Sequence, residues 1–145
     1  MKTLKALLVN GSPRAKGCTF TALRELKKTL EAEGIEVELI HVGHRDVRGC
    51  IACRKCQATG KCVFDDVVNE VAPKLAEADA FVIGAPVYFS SPAGGAISFM
   101  DRLFFSTLGT DKTMKVGASV VTCRRGGNTA SFDVLNKYFT MTGMP

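Results

Sequence analysis

Only two histidines occur in this chain of 145 residues, and tryptophan is absent. Neither His41 nor His44 falls into a recognisable Ser-His-Asp arrangement, and no paired-carboxylate motif occurs, so hydrolase chemistry is disfavoured. His41 closes a strand pattern and His44 follows it in a loop, where a solvated or core-edge histidine is the ordinary reading. No run approaches the roughly eighteen consecutive apolar residues of a membrane span. The basic, apolar start reaches Asn10-Gly11-Ser12-Pro13-Arg14 without a small-residue cleavage site, so it reads as a first strand and not as a secretory signal. Glycine occurs near that point, yet neither as a Walker A loop nor with the dinucleotide spacing, which disfavours ATPase chemistry. A basic recognition helix and serial base-stacking motifs are also missing, so no nucleic-acid partner is expected.

What is present describes an ordinary globular domain over residues 1–145. Hydrophobic residues make up 46% and charged residues 23%, with mean hydropathy +0.12. A chain of this size buries roughly 68–70% of its unfolded surface and needs neither metal nor disulfide to hold a core. The net charge of +5 favours anionic ligands without naming one. Four of the six cysteines fall within thirteen positions, which points to an intracellular, cytoplasmic cofactor or metal cluster in preference to secreted disulfides.

Apolar runs alternate with helical patterns, the signature of an α/β domain with a mostly parallel sheet. Leu4 to Val9 is a short, almost fully apolar strand of the kind buried on both faces. Phe20, Leu23, Leu26, Lys27 and Leu30 mark one helix face, and Gly34 ends that helix. Ile35 to Val42 reads as an edge strand. Residues 43–64 show no period, and irregular stretches of this length usually serve a function. Asp65-Asp66 caps a helix running to about Asp79 with Pro73 inside it; Ala80 to Ala85 is the third strand. A helix through Ile97, Met100, Leu103 and Phe104, a fourth strand over Lys115–Thr122 and a helix over 130–140 complete the pattern.

In such sheets ligands bind outside the carboxyl ends of the strands. The first loop there, Gly11-Ser12-Pro13-Arg14-Ala15-Lys16-Gly17-Cys18-Thr19, offers hydroxyls, backbone amides, a helix N-terminus and two cations to a phosphate. The second, Pro86-Val87-Tyr88-Phe89-Ser90-Ser91-Pro92, places an aromatic pair where a planar cofactor would lie. The third is the flexible Arg124-Arg125-Gly126-Gly127-Asn128. Each alone also reads as a plain connection or as core filling; together they converge on one mononucleotide.

These loops, with Phe99-Met100-Asp101-Arg102, resemble the flavodoxin-like NAD(P)H-dependent flavin mononucleotide reductase family over essentially the whole chain. The resemblance implies that Ser12, Arg14 and Thr19 hold the FMN phosphate, with Lys16, Gly17 and Cys18 around it. It implies that Pro86, Val87, Tyr88 and Phe89, with Ser90 beside them, border the isoalloxazine ring, and that Arg124, Arg125, Gly126 and Gly127 approach its far side. Asn is common in the family where this chain has Cys18. Asp101 and Arg102 read equally as rim helpers and as a surface ion pair or helix-packing residues, since helix charges are normally solvated.

Cys50, Cys53, Cys56 and Cys62 form C-x2-C-x2-C-x5-C. The crowding suits a [4Fe–4S] centre held by all four. A tetrahedral zinc site and redox-active thiols, through the overlapping C-x-x-C pairs, are the alternatives. The motif is similar to that of the iron–sulfur flavoproteins, a branch of the same family, where it implies the cluster. Cys18 and Cys123 read as buried or loop-lining thiols.

The family implies hydride acceptance from NADH or NADPH and onward transfer to a quinone, flavin, dioxygen or protein acceptor. The alternative is a flavodoxin-like carrier exchanging electrons only with proteins. A doubly wound sheet of order 2-1-3-4-5 needs a final strand and helix that the pattern does not supply here. The edge so left is expected to be covered by a second copy, in a homo-oligomer (dimer or tetramer).

Overall fold

The computed structural model describes residues 3–145. Its first strand, β1 (Lys5–Asn10), buries Ala6, Leu7, Leu8 and Val9 without interruption, as a strand covered on both faces must. It pairs in parallel with β2 (Glu36–His41) on one side and with β3 (Ala80–Tyr88) on the other. The two-residue β4 (Ser91–Pro92) folds back antiparallel on the end of β3, and β5 (Val116–Thr122) runs parallel to β3 with Val82 opposite Ala118. The parallel strands thus lie in the order β2-β1-β3-β5, the doubly wound flavodoxin-like arrangement expected from the sequence. The edge position of β2 follows from its alternation, which leaves Glu36 and Glu38 exposed while Val37 is buried.

The period of two divides the core. Ala6, Leu8 and Val82 face α1 (Cys18–Ala32), where Leu23 is buried and Leu26 and Leu30 pack beside it. Leu7, Val9, Phe81 and Ile83 face the other layer, built from α3 (Val67–Glu77), α4 (Gly94–Ser106) and α5 (Asn128–Met141). There Val68, Val71, Leu75, Phe99, Met100, Leu103, Leu135 and Phe139 are fully or almost fully buried. Each such side chain is worth about 1.5–3 kcal/mol of transfer free energy, so this two-sided core dominates the stability.

Three sequence expectations need correction. The irregular 43–64 segment holds a one-turn helix, α2 (Lys55–Thr59), too short to show a period. β3 continues through Pro86, Val87 and Tyr88, which read as loop; β4 extends it, and the Ala93 N–H donates to the Pro86 carbonyl at 3.0 Å. α1 and α5 both begin two residues earlier than their apolar stripes indicate. Among the described residues no strand lies beyond β5; its outer side meets the chain's last residues, with Gly117 N–H donating to the Pro145 carbonyl at 2.9 Å. Ala118 and Val120 on the α1 face are only partly buried. No helix among the described residues is long and apolar enough to cross a membrane.

Candidate functional site

All the loops singled out from the sequence emerge at the carboxyl ends of the parallel strands. The first is held by its own backbone and by β2. Asn10 Oδ1 accepts the Ser12 N–H at 3.0 Å, and Ser12 Oγ accepts that of Arg14 at 3.2 Å. The Ser12 carbonyl lies 2.7 Å from His41 Nε2. Gly43 crosses so closely that a Cβ there would stand 2.2 Å from that carbonyl oxygen, so no other residue fits without moving the loop. Asn10 Nδ2, at the root of the loop, is buried with no partner among the described residues.

Beyond this turn Arg14 and Lys16 are exposed, and Gly17 leads into α1 without any side-chain cap or acidic residue in the first turn. The opening N–H groups of α1, from Cys18 and Thr19 onward, are therefore left to an external acceptor, the arrangement that binds a phosphate. Thr19 is buried, and its hydroxyl sits 2.8 Å from that of Thr122 at the end of β5. His41 and His44 stack with ring centres 4.2 Å apart; desolvation lowers the pKa of His44, and neighbouring His41 and Arg45 add to the effect. His41 is thus a support for the loop.

The second and third loops touch. Phe89 and Ser90 both adopt left-handed backbone, at φ 50° and 59°, and the Phe89 side chain is fully exposed while Tyr88 is half exposed. Two consecutive strained residues with an aromatic held in solvent are the mark of a ligand-side turn. Gly127, at φ 84°, packs against Ser90 so tightly that a Cβ would lie 2.6 Å from its Cα. Arg124, Arg125 and Gly126 are exposed beside it, and neither α4 nor α5 has a side-chain cap. Pro86 and Val87 are half-buried beneath. Cys18 and Cys123 are both exposed on this rim, against the expectation of burial, because each stands where a loop meets its element.

Residues 43–64 follow β2 and so open at the same end of the sheet. Left-handed backbone at Ala52 (φ 53°) and Arg54 (φ 58°) coils the chain around Cys53, and Gly60 (φ 69°) turns it from α2 toward Cys62. Cys50, Cys53, Cys56 and Cys62 all line one cleft with Phe64, Arg102 and Phe105. Burial pushes the Cys56 thiol up, and Cys62, Cys53 and Cys50 around it push it further. Among the described residues no three His, Cys, Asp or Glu side chains converge on the point a single ion would occupy. A cluster spreads its cysteine ligands around several irons, so four thiols around one cleft fit it better than they fit one tetrahedral zinc. The space between them, about 20 Å³, holds little more than a water, and a cluster requires the loop to widen. Cys50, Cys53 and all of α2 have no fully buried residue, so widening breaks few contacts.

The residue that sequence reasoning missed is Arg102. It is 1% exposed in the centre of α4, and its guanidinium is completely satisfied. Nε and one terminal nitrogen donate to Cys62 Sγ at 3.2 and 3.1 Å; Asp66 receives two further bonds at 2.6 and 3.0 Å, and the Phe64 carbonyl another at 3.2 Å. Burial alone pushes Arg102 down, but the bonds from Asp66 and Cys62 outweigh it and hold its pKa above the ordinary value. Asn69 fixes the backbone on either side, accepting the Cys62 N–H at 2.9 Å and donating to its carbonyl at 3.0 Å. Asp101, its neighbour, instead accepts the Tyr138 hydroxyl on the outer face. Other clefts lie apart; one of about 220 Å³ at the opposite end of the strands is lined by the Lys74–Glu38 and Lys5–Glu77 pairs.

An open α/β sheet whose carboxyl-end loops supply uncapped helix N-termini and an exposed, strained aromatic turn defines a flavodoxin-like protein. The family model described as NADPH-dependent FMN reductase matches residues 4–145, and the chain belongs to that family. Within it the chain sits with the iron–sulfur flavoproteins. It is 33% identical over 143 residues to an iron–sulfur flavoprotein of Methanocaldococcus jannaschii, covering 97% of this chain and 74% of that one. It is 34% identical over 127 residues to one from Archaeoglobus fulgidus, covering 86% of this chain and 62% of that one. Among solved structures, RosB with a bound 8-demethyl-8-formylriboflavin-5'-phosphate intermediate superposes with a TM-score of 0.77 at 20% identity, over 99% of this chain and 61% of that one. The chain therefore spans about three fifths to three quarters of the length of these proteins.

Proposed function

We propose that this chain is an FMN-dependent oxidoreductase that takes reducing equivalents from NADH or NADPH and delivers them to a quinone, flavin, dioxygen or protein acceptor, with a [4Fe–4S] centre in the cysteine cleft. The observation that carries the reading is the rim itself. Three neighbouring loops end in helix N-termini with no side-chain cap, and the Phe89–Ser90 turn holds an aromatic fully in solvent.

In this reading the first-turn amides of α1, with the loop Ser12–Thr19, hold the FMN phosphate, and Arg14 and Lys16 add charge from the exposed side. Asn10 Nδ2, buried without a partner, is consistent with a polar ligand or an ordered water at the root of that loop. Pro86 to Ser90 border the flavin ring, and Arg124 to Gly127, braced by Gly127 on Ser90, cover its other side. Cys50, Cys53, Cys56 and Cys62 hold the cluster, and Arg54, Lys55 and Lys61 in the same loop offset its charge. Bound FMN supplies the hydride and single-electron chemistry, so the protein needs no general acid, general base or nucleophile of its own. A homo-oligomer belongs to the reading, supported by the half-exposed β5 and by Phe89.

Anaerobic mixing of FMN-loaded protein with NADPH or NADH tests it. Prompt bleaching of the flavin absorbance is expected; reduction only by an added protein donor would make the chain an electron carrier.

A further inference from the structure

The four cysteines of the cleft are not equivalent. Cys50 and Cys53 are exposed on a loop with no buried residue, and Cys56 makes one long contact, to the Phe105 carbonyl at 3.8 Å. Cys62 alone is fixed on three sides, by Asn69 at its backbone and by two N–H donors of Arg102 at its sulfur.

Arg102 itself is immobile. It is buried, bidentate to Asp66, and Asp66 is in turn committed as the N-cap of α3, accepting the Val68 N–H at 3.0 Å. Phe64 lies against it and against Arg48, with the guanidinium carbons 5.0 and 4.6 Å from the ring centre. A buried arginine needs a partner, and the carboxylate of Asp66 already supplies one. Ion pairing with Asp66 therefore does not by itself account for the guanidinium edge laid on the sulfur. Arg102 also stands on the helix that leaves the flavin-side turn, about 12 Å along its axis from Gly94. α4 thus joins the two proposed cofactor sites through one rigid element.

Resting on the proposed cluster, we infer that Arg102 is a positioning residue that anchors Cys62 as the preformed ligand and sets the electronic environment of the thiolate it donates. The other three cysteines close around this fixed point when the loop widens. Two N–H bonds directed at one ligating sulfur withdraw charge from it and favour the reduced cluster, the way hydrogen bonding to sulfur tunes such centres.

The test uses the full chain and Arg102→Lys, which keeps the charge and the Asp66 partner but loses the two-pronged edge. In the metal-free protein, a cycle of Arg102→Lys, Cys62→Ala and the double variant, read by urea unfolding, is expected to show non-additivity of roughly five- to tenfold in the unfolding equilibrium constant. In anaerobically reconstituted protein, Arg102→Lys is expected to retain iron and sulfide while its cluster potential moves to more negative values. The reduced-to-oxidised ratio at fixed potential should fall by about tenfold, the loss of one charge-assisted hydrogen bond. An additive cycle overturns the inference, and so does an unchanged potential at full iron and sulfide. Wild-type protein that takes up neither iron nor sulfide refutes the cluster reading instead, and the metal-free cycle then decides on Arg102 alone.

Discussion

The hydroxyls of Thr19 and Thr122 meet at 2.8 Å across 103 residues of sequence. This contact ties the first turn of α1 to the end of β5, and so the proposed phosphate loop to the Arg124–Gly127 loop that follows. Thr122→Val keeps the shape and removes the bond. The variant is expected to lose about 1 kcal/mol of stability and to bind FMN about fivefold more weakly. Urea unfolding and flavin fluorescence titration read the two effects; intact affinity in the variant would show that the loops hold their positions without it.

Ser90 and Gly127 brace the other side of the rim. Gly127→Ala places a methyl group against the Ser90 backbone at a left-handed position, so a loss of about 2 kcal/mol is expected, together with weakened FMN binding. Ser90→Gly relieves left-handed backbone without removing the contact surface and is expected to keep full affinity. Equal flavin affinities for Gly127→Ala and wild type would contradict the placement of this loop over the flavin.

The two proposed sites use separate residues and should separate in mutants. Serine at Cys50, Cys53, Cys56 or Cys62 is expected to abolish iron and sulfide uptake while leaving FMN binding within about twofold, because the cleft shares no side chain with the flavin loops. Cys18→Ser and Cys123→Ser, on the exposed rim, should leave iron uptake unchanged. Iron analysis of the six variants decides; iron retained after loss of any cleft cysteine would remove that residue from the ligand set.

Burial raises the pKa of Tyr138 well above the ordinary tyrosine range, and its hydrogen bond to Asp101 raises it further. The native state keeps this proton after the unfolded chain begins to lose it near pH 10, so stability falls as pH rises beyond that point. Tyr138→Phe loses the bond and should be about 1 kcal/mol less stable than wild type near pH 8. The gap should narrow above about pH 10, where only the wild type carries the phenol. Unfolding midpoints across that range provide the check; a constant gap would mean that Tyr138 titrates normally.

Much of this was legible in the sequence for identifiable reasons. β1 and the first half of β3 declare themselves because a strand buried on both faces must be apolar throughout, and the rim loops because Gly and Pro punctuate them. The extension of β3 through Pro86 was not legible, since it depends on a two-residue hairpin closing at Ser91–Pro92. Arg102 was the larger miss. A charge on a helix ordinarily faces water, and its burial here is decided by Asp66 and Cys62, 36 and 40 residues earlier. The alternation of apolar positions around it, Phe99, Met100, Leu103 and Phe104, marks Arg102 as lying on the inward arc of α4, and that was the available signal.

The absorbance spectrum of anaerobically purified protein, with FMN, iron and acid-labile sulfide measured on the same sample, bears most directly on the central claim. A flavin profile overlaid on a broad iron–sulfur band, with FMN, iron and sulfide all present, is the expected result. Protein that binds no FMN when supplied with it, or that holds zinc without sulfide in the cysteine cleft, would contradict it.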